Sequence, residues 1–241
     1  MRPHSTVTGT GSRVTGQSHT WDKRVATWDH STLPGFDRIV QTVLRHADSL
    51  KGLDVVDLGS GSGDLTLELA KEAGSVLAVD FSAGMLARLE HRAAEMQLCN
   101  VRTVHSTIQS LDLPEHSVDV IISNYALHHL RHPEKREILA RAAKWLRPGG
   151  RIVIGDMMFS VAGNQADRRI IADKVVSIAR RGPAGWWRIA KNVWRFLVAR
   201  QECPASMEAW TSMLGAAGFV GVSSERVVAE GAVVSGRLPE Q

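Results

Sequence analysis

Val55-Val56-Asp57-Leu58-Gly59-Ser60-Gly61-Ser62-Gly63-Asp64 is the stretch that decides the fold. Its apolar start and glycine-rich end read as a buried parallel strand running into a tight turn. The run Leu65 to Ala73, stopped by Gly74, reads as the helix that follows. Glycines here let the backbone turn sharply and let a ligand approach where a Cβ would collide. A dinucleotide-binding turn is Gly-x-Gly-x-x-Gly, with a pyrophosphate on the N-terminus of the next helix. Counted from Gly59, the third glycine would be residue 64, where Asp64 stands instead, and Asp57 ends the strand just before the turn. Two carboxylates bordering the turn would repel a pyrophosphate by terms on the order of 1–4 kcal/mol each, and would attract a cationic ligand.

Val76-Leu77-Ala78-Val79 is an unbroken apolar run, as expected of a strand covered on both faces, and Asp80 closes it. An acid at that place bonds both ribose hydroxyls of a nucleoside. With Asp57, the spacing Asp-x-Gly-x-Gly-x-Gly and Asp80, the chain resembles the class I S-adenosylmethionine-dependent methyltransferases. It is most similar to the small-molecule branch that includes ubiquinone- and antibiotic-type enzymes. A Rossmann-like domain for another nucleotide is the alternative reading of the same turn.

Strands and helices alternate along the rest of the chain, the signature of a parallel sheet. Phe36 through Ala47 is predicted as an amphipathic helix with Ile39, Val43 and Leu44 inward. Ser82 is a candidate N-cap for a helix carrying Met85, Leu86, Leu89, Ala93 and Met96. Strands are expected at Val101 to Val104, Val118 to Ser123 and Arg151 to Asp156. A helix starting at Pro133 ends before Arg147-Pro148-Gly149-Gly150. A last helix, Ser206 to Ala217, precedes two short strands, Val220 to Val228 and Ala232 to Ser235. The resemblance implies an α/β, Rossmann-like, doubly wound seven-stranded sheet closed by an antiparallel hairpin. It covers about residues 20–237 apart from an insertion.

Ligands of such sheets bind outside the carboxyl ends of the strands. The resemblance therefore assigns S-adenosyl-L-methionine to Asp57, Gly59, Ser60, Gly61 and Gly63 in the turn, and to Asp80, Phe81 and Met85 after the second strand. After the third strand the family's acid for the adenine amino group aligns with Thr107, a departure that leaves one neutral acceptor, and Ile108 follows with its backbone N–H. An alignment shifted by one residue would bring Ser106 or Gln109 there.

After the fourth strand comes Asn124-Tyr125-Ala126-Leu127-His128-His129-Leu130, similar to the family segment with a Leu-His-His centre, and Asn124 takes the place that faces the sulfonium. There is no Asn-Pro-Pro-Tyr, which argues against a nucleic-acid amine as acceptor, and no cysteine near this strand end for cytosine chemistry. His128, His129 and Asp156 are the candidate bases, because each follows or ends a strand at the cofactor side. His128, His129 and His132 also form a cluster that could suggest metal, but Pro133 interrupts a shared helical face and no carboxylate is adjacent in sequence. Metal is therefore not expected, and capping or packing is the plainer role.

Trp28-Asp29 stands where relatives fold an aromatic–Asp segment over the cofactor, so Trp28 lines the pocket or staples its helix to the core. The insertion, about 160–202, reads as two helices separated by Gly182-Pro183. From Gln165 to Glu202 there are nine Lys/Arg against three Asp/Glu, a local +6 in a chain of net +4. Trp186, Trp187, Trp194 and Phe196 stand among Arg188, Lys191, Arg195 and Arg200. A lid over an apolar acceptor, a peripheral membrane contact through 185–200, and a surface helix with a solvated basic face are the three readings. A nucleic-acid partner is not expected.

Residues 1–18 are rich in Ser, Thr and Gly and carry no acid, so a disordered tail is expected, with 19–241 as a single domain. No apolar h-region marks a secretory signal and no run of apolar residues spans a membrane. Cys99 and Cys203 lie far apart, which reads as free thiols in the cytoplasm. The function expected is in-line methyl transfer to a small acceptor, apolar or aromatic. The alternatives are a lipid or quinone methyltransferase at a membrane surface, and a nucleotide-dependent oxidoreductase or non-catalytic cofactor-binding protein. Oligomeric state is not legible.

Overall fold

Among the described residues seven strands assemble into one sheet in the order β3-β2-β1-β4-β5-β7-β6, with apolar runs in the central strands and polar, more exposed sequence in β3 and β6 at the edges. The computed structural model describes residues 35–159 and 203–240. In chain order these are α1 (Phe36–Ala47), β1 (Asp54–Leu58), α2 (Thr66–Ala70), β2 (Ser75–Asp80), α3 (Ala83–Glu95), β3 (Val101–His105) and β4 (Val118–Asn124). A 3-10 turn (Leu127–His129), α4 (His132–Trp145), β5 (Leu146–Met157), α5 (Met207–Ala216), β6 (Val220–Arg226) and β7 (Gly231–Arg237) follow. The expected tail 1–18, Trp28, and the insertion 160–202 with its lid or membrane helix lie outside the described residues.

β1 to β5 pair in parallel, and β7 runs antiparallel to both β5 and β6. The doubly wound sheet with its closing hairpin is therefore present. Alternate residues of each strand face opposite layers, as the period of two requires. Val55, Val76, Val120, Ile122 and Val153 pack under α1 and α2, against Ile39, Val43 and Leu69. Ala78 meets Leu86, Leu89 and Ala93 of α3 on the same side. Val56, Val79, Ile121, Ile152, Ile154 and Val234 face the other way, against Ile138, Leu139 and Ala142 of α4 and Trp210 and Leu214 of α5. Covering both faces is what makes the central strands read as continuous apolar runs.

Helix ends follow their local chemistry. Ser82 Oγ accepts the Met85 N–H, and Ser206 Oγ accepts the Ala209 N–H. Two predicted boundaries differ. The helix read from Leu65 to Ala73 is regular only over Thr66–Ala70. Asn100 Nδ2 donates to the carbonyls of both Ala70 and Ala73 at 2.9 Å, and Ala73 bridges to Lys51, so the last turn is drawn off toward the sheet. The Arg147–Gly150 stretch, read as a break, is taken into β5, and a register shift between Val118 and Val120 absorbs it.

Trp210 is fully buried where α5 docks on the sheet. Trp210→Ala is expected to destabilise the fold by about 3–5 kcal/mol. The midpoint of denaturant unfolding followed by far-UV circular dichroism checks this, and an unchanged midpoint would remove α5 from the cooperative core.

Candidate active site

The strand order switches direction between β1 and β4, so the carboxyl ends of these strands and their neighbours β2 and β5 open the crevice where such sheets bind ligands. The turn after β1 is stitched to β2 from below. The N–H groups of Gly59 and Ser60 donate to the Val79 carbonyl at 2.8 and 3.0 Å. Gly61 N–H donates to Asp80 Oδ2 at 2.9 Å, and Ser82 N–H donates to Asp80 Oδ1 at 2.8 Å. Gly59 and Gly63 have φ of +80° and +89°. A Cβ on Gly59 would stand 2.3 Å from the Ala126 Cβ, and one on Gly63 would stand 2.1 Å from Leu89 Cδ1. These glycines are needed both for their backbone angle and for the closeness of β4's exit and α3.

The electrostatics differ in one respect from the sequence reading. Asp64 does not border the ligand space as a bare anion, because Arg92 Nη1 lies 2.6 Å from its Oδ1 and also donates to the Ser62 carbonyl at 2.7 Å. The carboxylates at the turn are Asp57 and Asp80. Asp57 is buried and accepts the Thr66 hydroxyl at 2.6 Å. Burial pushes its carboxyl up to about 7, the Thr66 bond draws it back, and the Asp80 charge adds to the rise. Asp80 is raised by burial too, against the pull of the Ser82, Gly61 and Phe81 N–H groups. Two buried acids sharing one turn are costly until a positive or hydroxyl-bearing group meets them.

Two buried oxygens here have no partner among the described residues, Ser60 Oγ in the turn and Asn124 Oδ1 at the end of β4. Unpartnered buried polar atoms are rare, and both of these lie at the carboxyl ends of the strands. Ile108 Cδ1 lies 3.8 Å from the Cβ position of Gly59, which puts the β3 exit loop beside the turn. Met85 is buried at the start of α3, and Phe81 is half-buried next to Asp80. Thr107 closes its own turn: its hydroxyl donates to Ser110 Oγ at 2.8 Å and accepts the Ser110 N–H at 3.1 Å. His105, which the sequence reading passed over, sits at the end of β3 with Nε2 3.0 Å from the Phe81 carbonyl.

On the β4–β5 side the structure joins two of the three candidate bases. His128 Nδ1–H donates to Asp156 Oδ1 at 2.6 Å, and the His128 backbone N–H donates to Oδ2 at 2.8 Å. The Met157 N–H completes the carboxylate at 2.7 Å. His129 stacks on His128 with ring centroids 4.1 Å apart. His128 lies in the 3-10 turn while His132 begins α4, so they do not share a helix. Among the described residues no group of three His, Cys, Asp or Glu is arranged to hold a metal ion.

Two further side chains were not singled out from the sequence. Lys135 on α4 is fully buried, and its ammonium donates to the carbonyls of Leu130 and Cys203 at 2.5 Å each. Tyr125 follows β4 with φ of +50°, stacks on Phe36 at 6.0 Å, and has its hydroxyl pushed up to about 12 by burial, then by Glu230 and Asp156. A non-glycine residue in that backbone region stores strain, which concentrates at functional sites.

A family model described as a methyltransferase domain matches residues 55–150, the span from β1 to the start of β5 that holds the glycine turn, Asp80 and the His128 turn. Over this span the chain is similar to the class I S-adenosylmethionine-dependent methyltransferases. Phosphoethanolamine N-methyltransferase 1 of Triticum aestivum is 36% identical over 124 residues, 51% of this chain and 25% of the relative. Arsenite methyltransferase of Aquipseudomonas alcaligenes is 37% identical over 131 residues, 50% of this chain and 35% of the relative. The match thus spans between a quarter and about a third of the length of these curated relatives. The solved complex of DhpI with SAH is 18% identical, covers 97% of this chain and 100% of that one, and has a TM-score of 0.67, a likeness of fold.

The raised Asp57 carboxyl in this methyltransferase domain gives a stability test. Its folded value, about 7, exceeds the unfolded 3.8, so its contribution to stability is fully present below the unfolded value and is lost as pH rises toward 7. Asp57→Asn removes that dependence. The variant should be more stable than the native chain at pH 8 by on the order of a few kcal/mol, with the gain vanishing near pH 4. Denaturant unfolding at the two pH values checks this, and equal differences at both would contradict it.

Proposed function

We propose that the protein transfers a methyl group from S-adenosylmethionine to a small-molecule acceptor. The observation that carries the reading is the turn after β1 with Asp80 beneath it: a glycine backbone at positive φ, a buried carboxylate at the ribose position, and Ser60 Oγ and Asn124 Oδ1 beside it, unpartnered among the described residues. These groups fit a nucleoside that brings hydroxyl donors and a cationic end. Asp80 takes the ribose hydroxyls on its free lone pairs. Asp57, buried and raised, ionises at little cost once a positive charge faces it. Gly59 and Gly63 hold the turn tight against Ala126 and Leu89, Gly61 lets the nucleoside come close to the backbone, Ile108 and Phe81 flank the nucleoside, and Met85 supports the turn from α3. Thr107 donates its O–H to Ser110 and accepts the Ser110 N–H, which leaves one oxygen lone pair as the neutral acceptor for the adenine amino group.

When bound, this cofactor supplies a methyl group on a sulfonium that needs only an aligned nucleophile. The chain's task is alignment, worth roughly 7–11 kcal/mol where two reactants are held in line. Where the acceptor must lose a proton, His128 takes it at Nε2, because Asp156 fixes the Nδ1–H and thereby the ring's tautomer and direction. Asp156 itself is fully occupied and acts as the orienting group. His129, stacked on the same ring, shapes the acceptor side.

The relatives named for phosphoethanolamine and for arsenite support a small molecule as acceptor. The Trp-rich segment favours an apolar or aromatic one, so polar and apolar acceptors are both to be tested. No helix among the described residues is long and apolar enough to cross a membrane. Free Cys99 and Cys203 suit a cytoplasmic setting.

Labelled-methyl transfer into fractionated small-molecule, lipid and RNA extracts tests the acceptor class. Label in the small-molecule fraction is the expected result, and label confined to RNA or lipid would overturn it. Asp80→Ala is expected to weaken S-adenosylhomocysteine binding by roughly ten- to a hundredfold in calorimetry. Binding of NAD in its place would contradict the cofactor. With the acceptor in hand, His128→Ala and Asp156→Asn should each lower kcat by about 10²–10⁴ while cofactor affinity stays, with a smaller loss for His129→Ala. Equal losses for all three would remove the special role of the His128–Asp156 pair.

A further inference from the structure

Lys135 is a buried cation with no carboxylate in contact. Its ammonium is directed at two carbonyls, Leu130 at the end of the His128 turn and Cys203 where the chain re-enters the described fold. The Cys203 N–H in turn donates to the His128 carbonyl at 2.6 Å. The ammonium also lies 5.8 Å from the centre of the Trp210 ring. A methionine or leucine would fill this space at lower desolvation cost, since replacing buried charge by apolar side chains of similar volume is often neutral or stabilising. Packing alone therefore does not account for the charge.

The same turn also holds a buried acid. Asp156 has both oxygens committed to His128 and Met157, and no lysine or arginine among the described residues is in contact with it. We infer that Lys135 is a positioning residue that supplies the counter-charge for Asp156, so that the carboxylate orients the His128 ring without requiring it to hold a second proton. Aspartate and lysine then balance within the turn, and Nε2 keeps the lone pair a base needs. The inference rests on the reading of His128 as that base. Burial disfavours the ammonium, and Asp156 is the charge that most favours it, ahead of Cys203 and Glu134. The other ionisable groups around the cluster are His129, its ring 4.1 Å from that of His128, His132 on α4, whose own ring is disfavoured as a cation by burial, then by Lys135 and Arg136, and Tyr125 with Glu230.

The test is the pH titration of the His128 ring by nuclear magnetic resonance, its signals assigned by comparison with His128→Gln. In Lys135→Met the counter-charge left for Asp156 among the described residues in contact with it is the imidazolium, so the midpoint should rise by about one pH unit or more. A midpoint that stays where it is in the native chain, with the fold intact, would overturn the inference. A merely structural lysine would change stability and leave that midpoint in place. Should Lys135→Met fail to fold, the side-chain nitrogen shift of Lys135 in the native protein decides: an ammonium at pH 7 is required, and a neutral amine there overturns the inference. Calorimetry with S-adenosylhomocysteine on the native chain separates the two proposals. Absence of binding would strike at the methyltransferase reading while leaving the charge balance to be judged by the titration.

Discussion

One buried carboxylate, Asp80, holds two pieces of backbone at once: Gly61 in the turn after β1 and Ser82 at the start of α3. Neither N–H can rotate away without leaving a buried charge unsatisfied, which costs more than an ordinary lost hydrogen bond. The turn's shape, the start of α3 and the direction of the ligand space are thereby fixed by one side chain at the end of β2. The Val79 carbonyl, accepting from Gly59 and Ser60, repeats the stitch one residue earlier. Asp80 is thereby held by backbone on both carboxylate oxygens, which fixes its side chain whether or not a ligand is bound.

The two ends of the sheet treat charge differently. At the amino ends of the strands Arg147 bridges Asp54 at 3.2 Å and Asp119 at 2.8 Å, in partly solvated pairs of a kind worth about 0–1 kcal/mol. At the carboxyl ends Asp57, Asp80, Asp156 and Lys135 are buried. Such groups lower stability unless they are matched, and their concentration at the crevice is what a site for a charged, hydroxyl-bearing ligand requires. The apolar layers on both faces of the sheet offset that cost through their own burial.

Much of this was legible in the residues because it rests on local rules. The glycine spacing, the apolar runs ending in Asp57 and Asp80, the Ser82 cap and the amphipathic face of α1 all depend on neighbours within a few positions. The features that were missed depend on distant partners. Asp64 reads as an exposed anion until Arg92, a helix and a strand away, is seen to take its charge. His128 and Asp156 are 28 positions apart, and no periodicity joins them. Lys135 looks like an ordinary surface lysine in the run His132-Pro133-Glu134-Lys135-Arg136. Only the return of the chain at Cys203 buries it.

The central claim is that the β1 turn, Asp80 and the end of β4 form one nucleoside site for S-adenosylmethionine chemistry. Backbone hydrogen exchange with and without S-adenosylhomocysteine tests it most directly, with NAD as the comparison. The account requires added protection over Gly59 to Asp64, at Phe81 and Ser82, and through Asn124 to His128 with S-adenosylhomocysteine alone. Protection by NAD over the same amides, or protection by S-adenosylhomocysteine confined to other parts of the chain, would contradict it.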